Sequence, residues 1–147
     1  MSAGLRRFEV LRVIAAGALA RTSLQGFADV DQELQELAGV RRVTPERRRH
    51  LLEVVHGMRA LETALKEVVR SHGFRPESSI GRLLYQLSRF PISNPSHLNQ
   101  RSFSRFMNTV RTDRNRFMHD ANAFPRTARE ADRILGEVAA CFVMIVK

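Results

Sequence analysis

Cysteine is almost absent from this 147-residue chain; Cys141 is the only one. That excludes a disulfide framework and a cysteine-rich metal site, and it suits a reducing cytoplasm. Cys141 stands among Ala140, Phe142 and Val143, so it reads as a small core hydrophobe rather than a nucleophile. Tryptophan is missing, and Tyr85 is the single tyrosine. No apolar run approaches the roughly 18 residues of a membrane span. Strand-like alternation is nearly absent, and there is no internal repeat or low-complexity segment. A glycine-rich phosphate loop and a serine–histidine–acid arrangement are also lacking. His50, His56, His72 and His97 show no ligand-like spacing to carboxylates, so neither metal nor cofactor is expected.

Lysine is scarce as well. Of the 24 cationic residues only Lys66 and Lys147 are lysines, and the net charge is +9. A guanidinium matches a phosphate with two parallel hydrogen bonds, so an acidic partner such as nucleic acid is favoured. The competing reading is a solvated surface with an arginine bias. The length fits a single helical domain over residues 1–147, large enough to bury a core unaided. Arg6 and Arg7 precede an apolar stretch ending at Ala18-Leu19-Ala20, which resembles an export signal. Glu9 and Arg12 interrupt it, so an amphipathic helix is the better reading.

Helical periodicity fills most of the chain. A first helix is expected over Leu5 to Ala20, with Phe8, Leu11, Ile14 and Ala18 on one side. A second runs from Asp29 to Ala38 and stops at Gly39. Thr44 as N-cap and Pro45 at the first position open a third, with its seam at Leu51, Val54, Met58, Leu61, Leu65 and Val68 and its end at Gly73. Arg47-Arg48-Arg49-His50 places positive charge in its first turns, either to hold a phosphate or simply to be solvated. Pro76 opens a fourth helix carrying Ile80, Leu83, Leu84 and Leu87, which stops near Phe90 before Pro91. Pro91 to Asn99 is a loop. A fifth helix starts near Gln100, with Phe103, Phe106, Met107, Val110 and Phe117 on its apolar face. Asp120 to Arg126 is a break. Thr127 and Glu130 form a capping box for the last helix, whose turns from Ala139 to Val146 are apolar all round and call for burial in the core or against a second subunit. The fold class is all-α, an up-and-down bundle of four to five main helices.

Arg114-Asn115-Arg116-Phe117-Met118-His119 is the stretch that carries chemistry. A permanent cation suits a phosphate, and an imidazole exchanges a proton near neutral pH. On a straight helix of about 100° per residue, Asn108, Thr112, Asn115 and His119 share one face. Asn115 is one turn before His119 and can orient its ring. Arg114 lies about 140° away from His119, in the middle of the apolar face, where it needs a carboxylate such as Asp113 or an interface. Either the helix distorts at the motif, or a second copy of the chain completes the site.

This Arg-Asn-x-x-x-His pattern, late in a helix of a small all-α bundle, resembles the HEPN superfamily. The resemblance implies a HEPN-like fold and a metal-independent endoribonuclease, a homodimer whose two motifs face each other in one composite site. Arg114, Asn115 and His119 match the motif's arginine, polar position and histidine, and the coarse helical likeness covers residues 45 to 147. It further implies a role as a toxin of a toxin–antitoxin system, an antiviral-defence effector or an RNA-processing factor, with an antitoxin or regulatory protein as a further partner. Members regulated by a nucleotidyltransferase carry a tyrosine two residues after the histidine; that position is Ala121 here, so this form of regulation is not implied. Arg111, Arg116, Arg126 and Arg129 are candidates for holding RNA, with a solvated rim as the alternative, and Phe117 and Phe124 are candidates for stacking on bases. A catalytically silent HEPN-like dimer that binds RNA or a partner protein is the second reading. An unrelated helical interaction domain is the third.

Overall fold

The seam at Leu51–Val68 builds the centre of the molecule. In a computed structural model, which describes Val13 and residues 27–42, 44–120, 123 and 125–145, helix α2 spans Glu46–Ser71. Val54, Met58, Leu61, Leu65 and Val68 are all buried on it, with Leu51 half-buried at its outer end. Helix α1 (Phe27–Gly39) leads into a 3-10 turn at Val40–Arg42. Helix α3 is Ile80–Ser88 and α4 is Gln100–Phe106. A π-helical turn, Met107–Arg111, joins α4 to α5 (Thr112–His119), and α6 is Ala128–Ile145. With α4, the π turn and α5 taken as one rod, the described residues form an all-α bundle of five helices and hold no strand. Helices α1, α3, α5 and α6 all pack on α2. The expected first helix, Leu5 to Ala20, lies outside the described residues apart from the exposed Val13.

Helix ends follow local chemistry, in two places differently from the sequence expectation. Gly73 ends α2 at a φ of 82°, with its N–H on the Arg70 carbonyl and the Phe74 N–H on that of Val69, the paired bonds of a Schellman stop. At the other end, Pro45 rather than Thr44 is the capping residue: its ψ of 167° is extended, and its own carbonyl accepts from Arg48 and Arg49. Pro76 does not open α3. The Gln86 amide ties that non-helical segment by donating to the Arg75 carbonyl at 2.9 Å and accepting from the Glu77 N–H at 3.0 Å. Ser79 caps α3 instead, its hydroxyl accepting from Arg82 N–H. The Thr127 hydroxyl caps α6 by accepting from Glu130 N–H, while the Glu130 carboxylate reaches back to the Arg126 N–H, one residue earlier than a strict capping box.

The rod is not straight. Its π turn is stitched from α6: Arg105 donates two bonds to Glu137 (3.0 and 2.8 Å), and the Thr109 hydroxyl shares its one proton between the Arg105 carbonyl at 2.9 Å and the same carboxylate at 3.1 Å. The Met107 carbonyl takes side-chain donors, Arg111 Nε at 3.2 Å and Thr112 Oγ1 at 3.1 Å. An extra residue in one turn displaces the helical wheel beyond it.

The Arg105 hydrogen bonds hold the Glu137 carboxyl below its ordinary value. A lowered folded value gives stability that is present above the unfolded value and lost as pH falls through the folded one. Glu137→Ala is therefore expected to cost about 1–2 kcal/mol at neutral pH. The gap from wild type should shrink in urea melts run in increasingly acid buffer.

The apolar end of α6 is covered on one side only. Ile134, Val138, Cys141, Phe142 and Ile145 are buried, Ala139, Ala140 and Met144 are half-buried, and Val143 is exposed. Burial pushes the Cys141 thiol well above its ordinary value, which makes it inert as expected. None of the described helices is long and apolar enough to cross a membrane.

Candidate functional site

The motif occupies α5, past the π turn. Phe106, Val110, Asp113 and Phe117 make the buried line of the rod. Arg114 is thus at the edge of the apolar face rather than in its middle, where Asp113 sits instead; Arg114's side chain is 21 % exposed. Its carboxylate is Glu62 of α2, at 3.8 Å, and not Asp113. Asp113 faces Arg133 at 3.7 Å, and burial raises its carboxyl above the ordinary value even though Arg133 and Arg116 pull it down. The Arg114 Nε is buried and has no hydrogen-bond partner. A buried guanidinium nitrogen without an acceptor is costly.

Asn108, Thr112, Asn115 and His119 are all exposed. His119 ends α5, and the chain leaves the helix at Asp120, whose N–H bonds the Arg116 carbonyl. No hydrogen bond joins Asn115 to His119 among the described residues; each side chain faces outward. The distortion lies before the motif and not within it. Arg114 and His119 therefore remain on a regular stretch of helix, on different sides of the rod.

Arg114 and Asn115 form one wall of a cleft of about 440 Å³. Arg111 and Met107 of the π turn continue that wall, and Arg82 and Tyr85 of α3 face them, with Phe103 between. Gly81 allows the approach: a Cβ there would lie 2.9 Å from Arg111 Cδ. The Arg111 Nε is tied to the Met107 carbonyl. Tyr85 is 56 % exposed and rests edge-on against Phe103, ring centroids 6.3 Å apart. His119 is not part of this lining.

Of the arginines read as RNA-holding, only Arg111 joins Arg114 in the cleft. Arg116 lies over the Phe117 ring at 4.9 Å and pairs with Glu130 at 3.3 Å. Arg126 and Arg129 are exposed near the start of α6 and do not line the cleft. Phe117 is core, and Phe124 lies outside the described residues. The sequence reading missed Arg82 and Tyr85. Their signal was available: Ile80, Leu83, Leu84 and Leu87 mark the inner face of α3, which leaves Arg82 and Tyr85, three apart, together on the outer one.

Two clusters elsewhere compete for attention. Arg49 pairs with Glu46 at 3.3 Å and with Glu53 at 3.8 Å, while His50 is buried with Nε2 3.3 Å from Glu46. Arg49 and His50 of the basic opening of α2 are thus tied down by carboxylates of their own helix. His56 stands among carboxylates that its spacing in the sequence does not show. Its Nδ1 lies 3.1 Å from Glu33, and Glu33, Glu36 and His56 present ligand-type atoms within 4.8 Å of one another. Packing of α1 on α2 brings these together across 23 residues, which no local spacing reveals. Arg59 also holds Glu33 at 2.9 Å, so imidazole and guanidinium already satisfy that carboxylate.

Comparison with protein-family models, curated proteins and solved structures finds no match to this chain.

Proposed function

We propose that this chain is a metal-independent endoribonuclease of the HEPN type, acting as a homodimer in the cytoplasm. The observation that carries the reading is Arg114. It lies half-buried at a cleft with Arg111 and Arg82, with Nε unpartnered and Glu62, its one carboxylate among the described residues, at the limit of an ion pair. The exposed His119 follows five residues later on another side of the rod. Groups that diverge in one chain can converge when a two-fold axis sets two copies face to face.

In the proposed reaction the RNA 2′-hydroxyl attacks the adjacent phosphorus. One His119 takes the hydroxyl proton as the 2′-oxygen–phosphorus bond forms. His119 of the partner subunit gives a proton to the 5′-oxygen as its bond to phosphorus breaks. Arg114 binds the scissile phosphate and stabilises the charge of the pentacoordinate state. Asn115, exposed beside it, positions that phosphate. The products are a 2′,3′-cyclic phosphate and a 5′-hydroxyl. Such an activity suits a toxin or antiviral-defence effector restrained by an antitoxin or regulatory protein.

The test is incubation of single-stranded RNA with the purified protein in EDTA, beside an RNA carrying one 2′-deoxynucleotide at the mapped cut. Cleavage of the first only, with cyclic phosphate ends, is the expected result. Cleavage at the deoxy position, or none of either RNA, contradicts the reading. Asn115 and His119, exposed and without a hydrogen bond to each other, favour one alternative, a catalytically silent dimer that binds RNA or a partner protein; binding without cleavage would identify it.

A further inference from the structure

We infer that the cleft between α3 and the π turn is a nucleotide subsite for single-stranded RNA, in which Arg82, Arg111 and Arg114 hold a backbone phosphate and Tyr85 stacks on the neighbouring base. The choice of RNA rests on the ribonuclease reading; the subsite itself rests on the geometry of the cleft. Three guanidinium groups line this space, and among the described residues the only carboxylate paired with any of them is Glu62, 3.8 Å from Arg114. The surplus of positive charge calls for an anion, and planar guanidinium groups match phosphate oxygens in pairs.

Two of the three are set in place before any ligand arrives. The Arg111 stem lies against Gly81, and its Nε bonds the Met107 carbonyl at 3.2 Å, which leaves its terminal nitrogens to bind. Arg114 is steadied by Glu62 of α2 at 3.8 Å, with its side chain 21 % exposed at the cleft. Preorganised donors lose little freedom on binding.

Tyr85 supplies the second half. A tyrosine ring 56 % exposed at the rim of a cationic cleft, held edge-on by Phe103, presents a face to a planar ligand. Aromatic rings interleaved with arginines are how proteins take up unpaired bases, each of which offers a face only when freed from its duplex neighbours. At about 440 Å³ the cleft is in the range that holds a small ligand, one nucleotide rather than a helix. Because Arg114 belongs both to this cleft and to the motif, the bound nucleotide flanks the bond that is cut.

The test uses the full chain carrying His119→Ala, so that RNA is not consumed, and follows anisotropy of a labelled single-stranded oligoribonucleotide in EDTA across a salt series. Tyr85→Ala should weaken binding roughly tenfold, while Tyr85→Phe keeps the affinity of the parent. Arg82→Ala should also weaken it and flatten the slope of log affinity against log salt by about 0.7, the share of one single-strand phosphate contact. Tyr85→Ala, which removes no charge, should leave that slope unchanged. Arg70→Ala, an equal charge change on α2 at an arginine paired with Glu67 and absent from the cleft lining, serves as the control. Both cleft residues are exposed, and far-UV circular dichroism verifies that the variants fold. The subsite is overturned if the parent does not bind the oligonucleotide, or if Tyr85→Ala and Arg82→Ala bind no worse than Arg70→Ala. The ribonuclease reading fails separately: wild type that binds through Tyr85 and Arg82 yet never cleaves leaves the subsite and removes the enzyme.

Discussion

Replacing His119 by alanine is expected to lower RNA cleavage in EDTA by about 10²–10⁴-fold, the usual share of a positioned acid or base. His119 is exposed at the end of α5 and has no described partner, so the fold should survive its loss. Thermal melting should therefore be unchanged within about 0.5 kcal/mol, as for other surface substitutions. Arg114→Ala should cost a similar factor, about 10²–10³-fold, because it removes the group that stabilises charge on the phosphate. Here the two positions diverge in a second measurement. Arg114 is mostly buried and pairs with Glu62, so its removal frees a carboxylate on α2 and should shift the melt. Arg114→Lys separates the roles: a point charge retains the pairing but not the two-pronged grip, and activity should stay low while stability returns. Full activity in His119→Ala would remove the histidine from the mechanism.

Phe106→Ala is expected to be the most damaging single change to the fold, at about 3–5 kcal/mol. The ring is fully buried and is among the largest side chains in the core. It also stands immediately before the π turn, where α3, α6 and the rod meet. A cavity there loses packing and loosens the wall that carries Arg111 and Arg114. Urea denaturation with a lowered midpoint and an unchanged slope is the expected result. Ile92→Ala, at a side chain 87 % exposed, should stay within about 0.5 kcal/mol. A Phe106→Ala protein as stable as Ile92→Ala would show that the rod does not depend on this core.

What could be read from the sequence was local. The seam of α2 repeats by threes and fours, and each of its central residues is buried. Gly73, Asn99 and Thr127 ended or opened helices with their own backbone or side-chain atoms. Apart from the one-residue shift of the α2 cap from Thr44 to Pro45, expectations failed where a residue outside the local segment intervened. Pro76 looked like a helix start, but Gln86 of the following helix ties the segment before Ser79 in a non-helical path. The π turn depends on Glu137, 28 and 32 residues beyond Thr109 and Arg105, and a wheel drawn along one helix cannot contain it.

The candidate site divides in the same way. The outward ribbon of Asn115 and His119 was legible from periodicity. The partner of Arg114 was not, because Glu62 belongs to another helix. Nor was the opposite wall of the cleft, which α3 supplies through packing against the π turn. Arginine spacing alone also grouped Arg116, Arg126 and Arg129 with Arg111, although the fold sets them apart.

The most direct test of the composite site is a mixing experiment. Wild type is co-refolded in varying proportion with the doubly substituted Arg114→Ala, His119→Ala chain, and RNA cleavage per total protein is measured in EDTA. A site completed by two intact copies predicts activity that falls as the square of the wild-type fraction, to about one quarter at an equal mixture. A linear fall, to about one half, would mean that each chain cleaves alone, and would contradict the claim that the motif is half of a shared site.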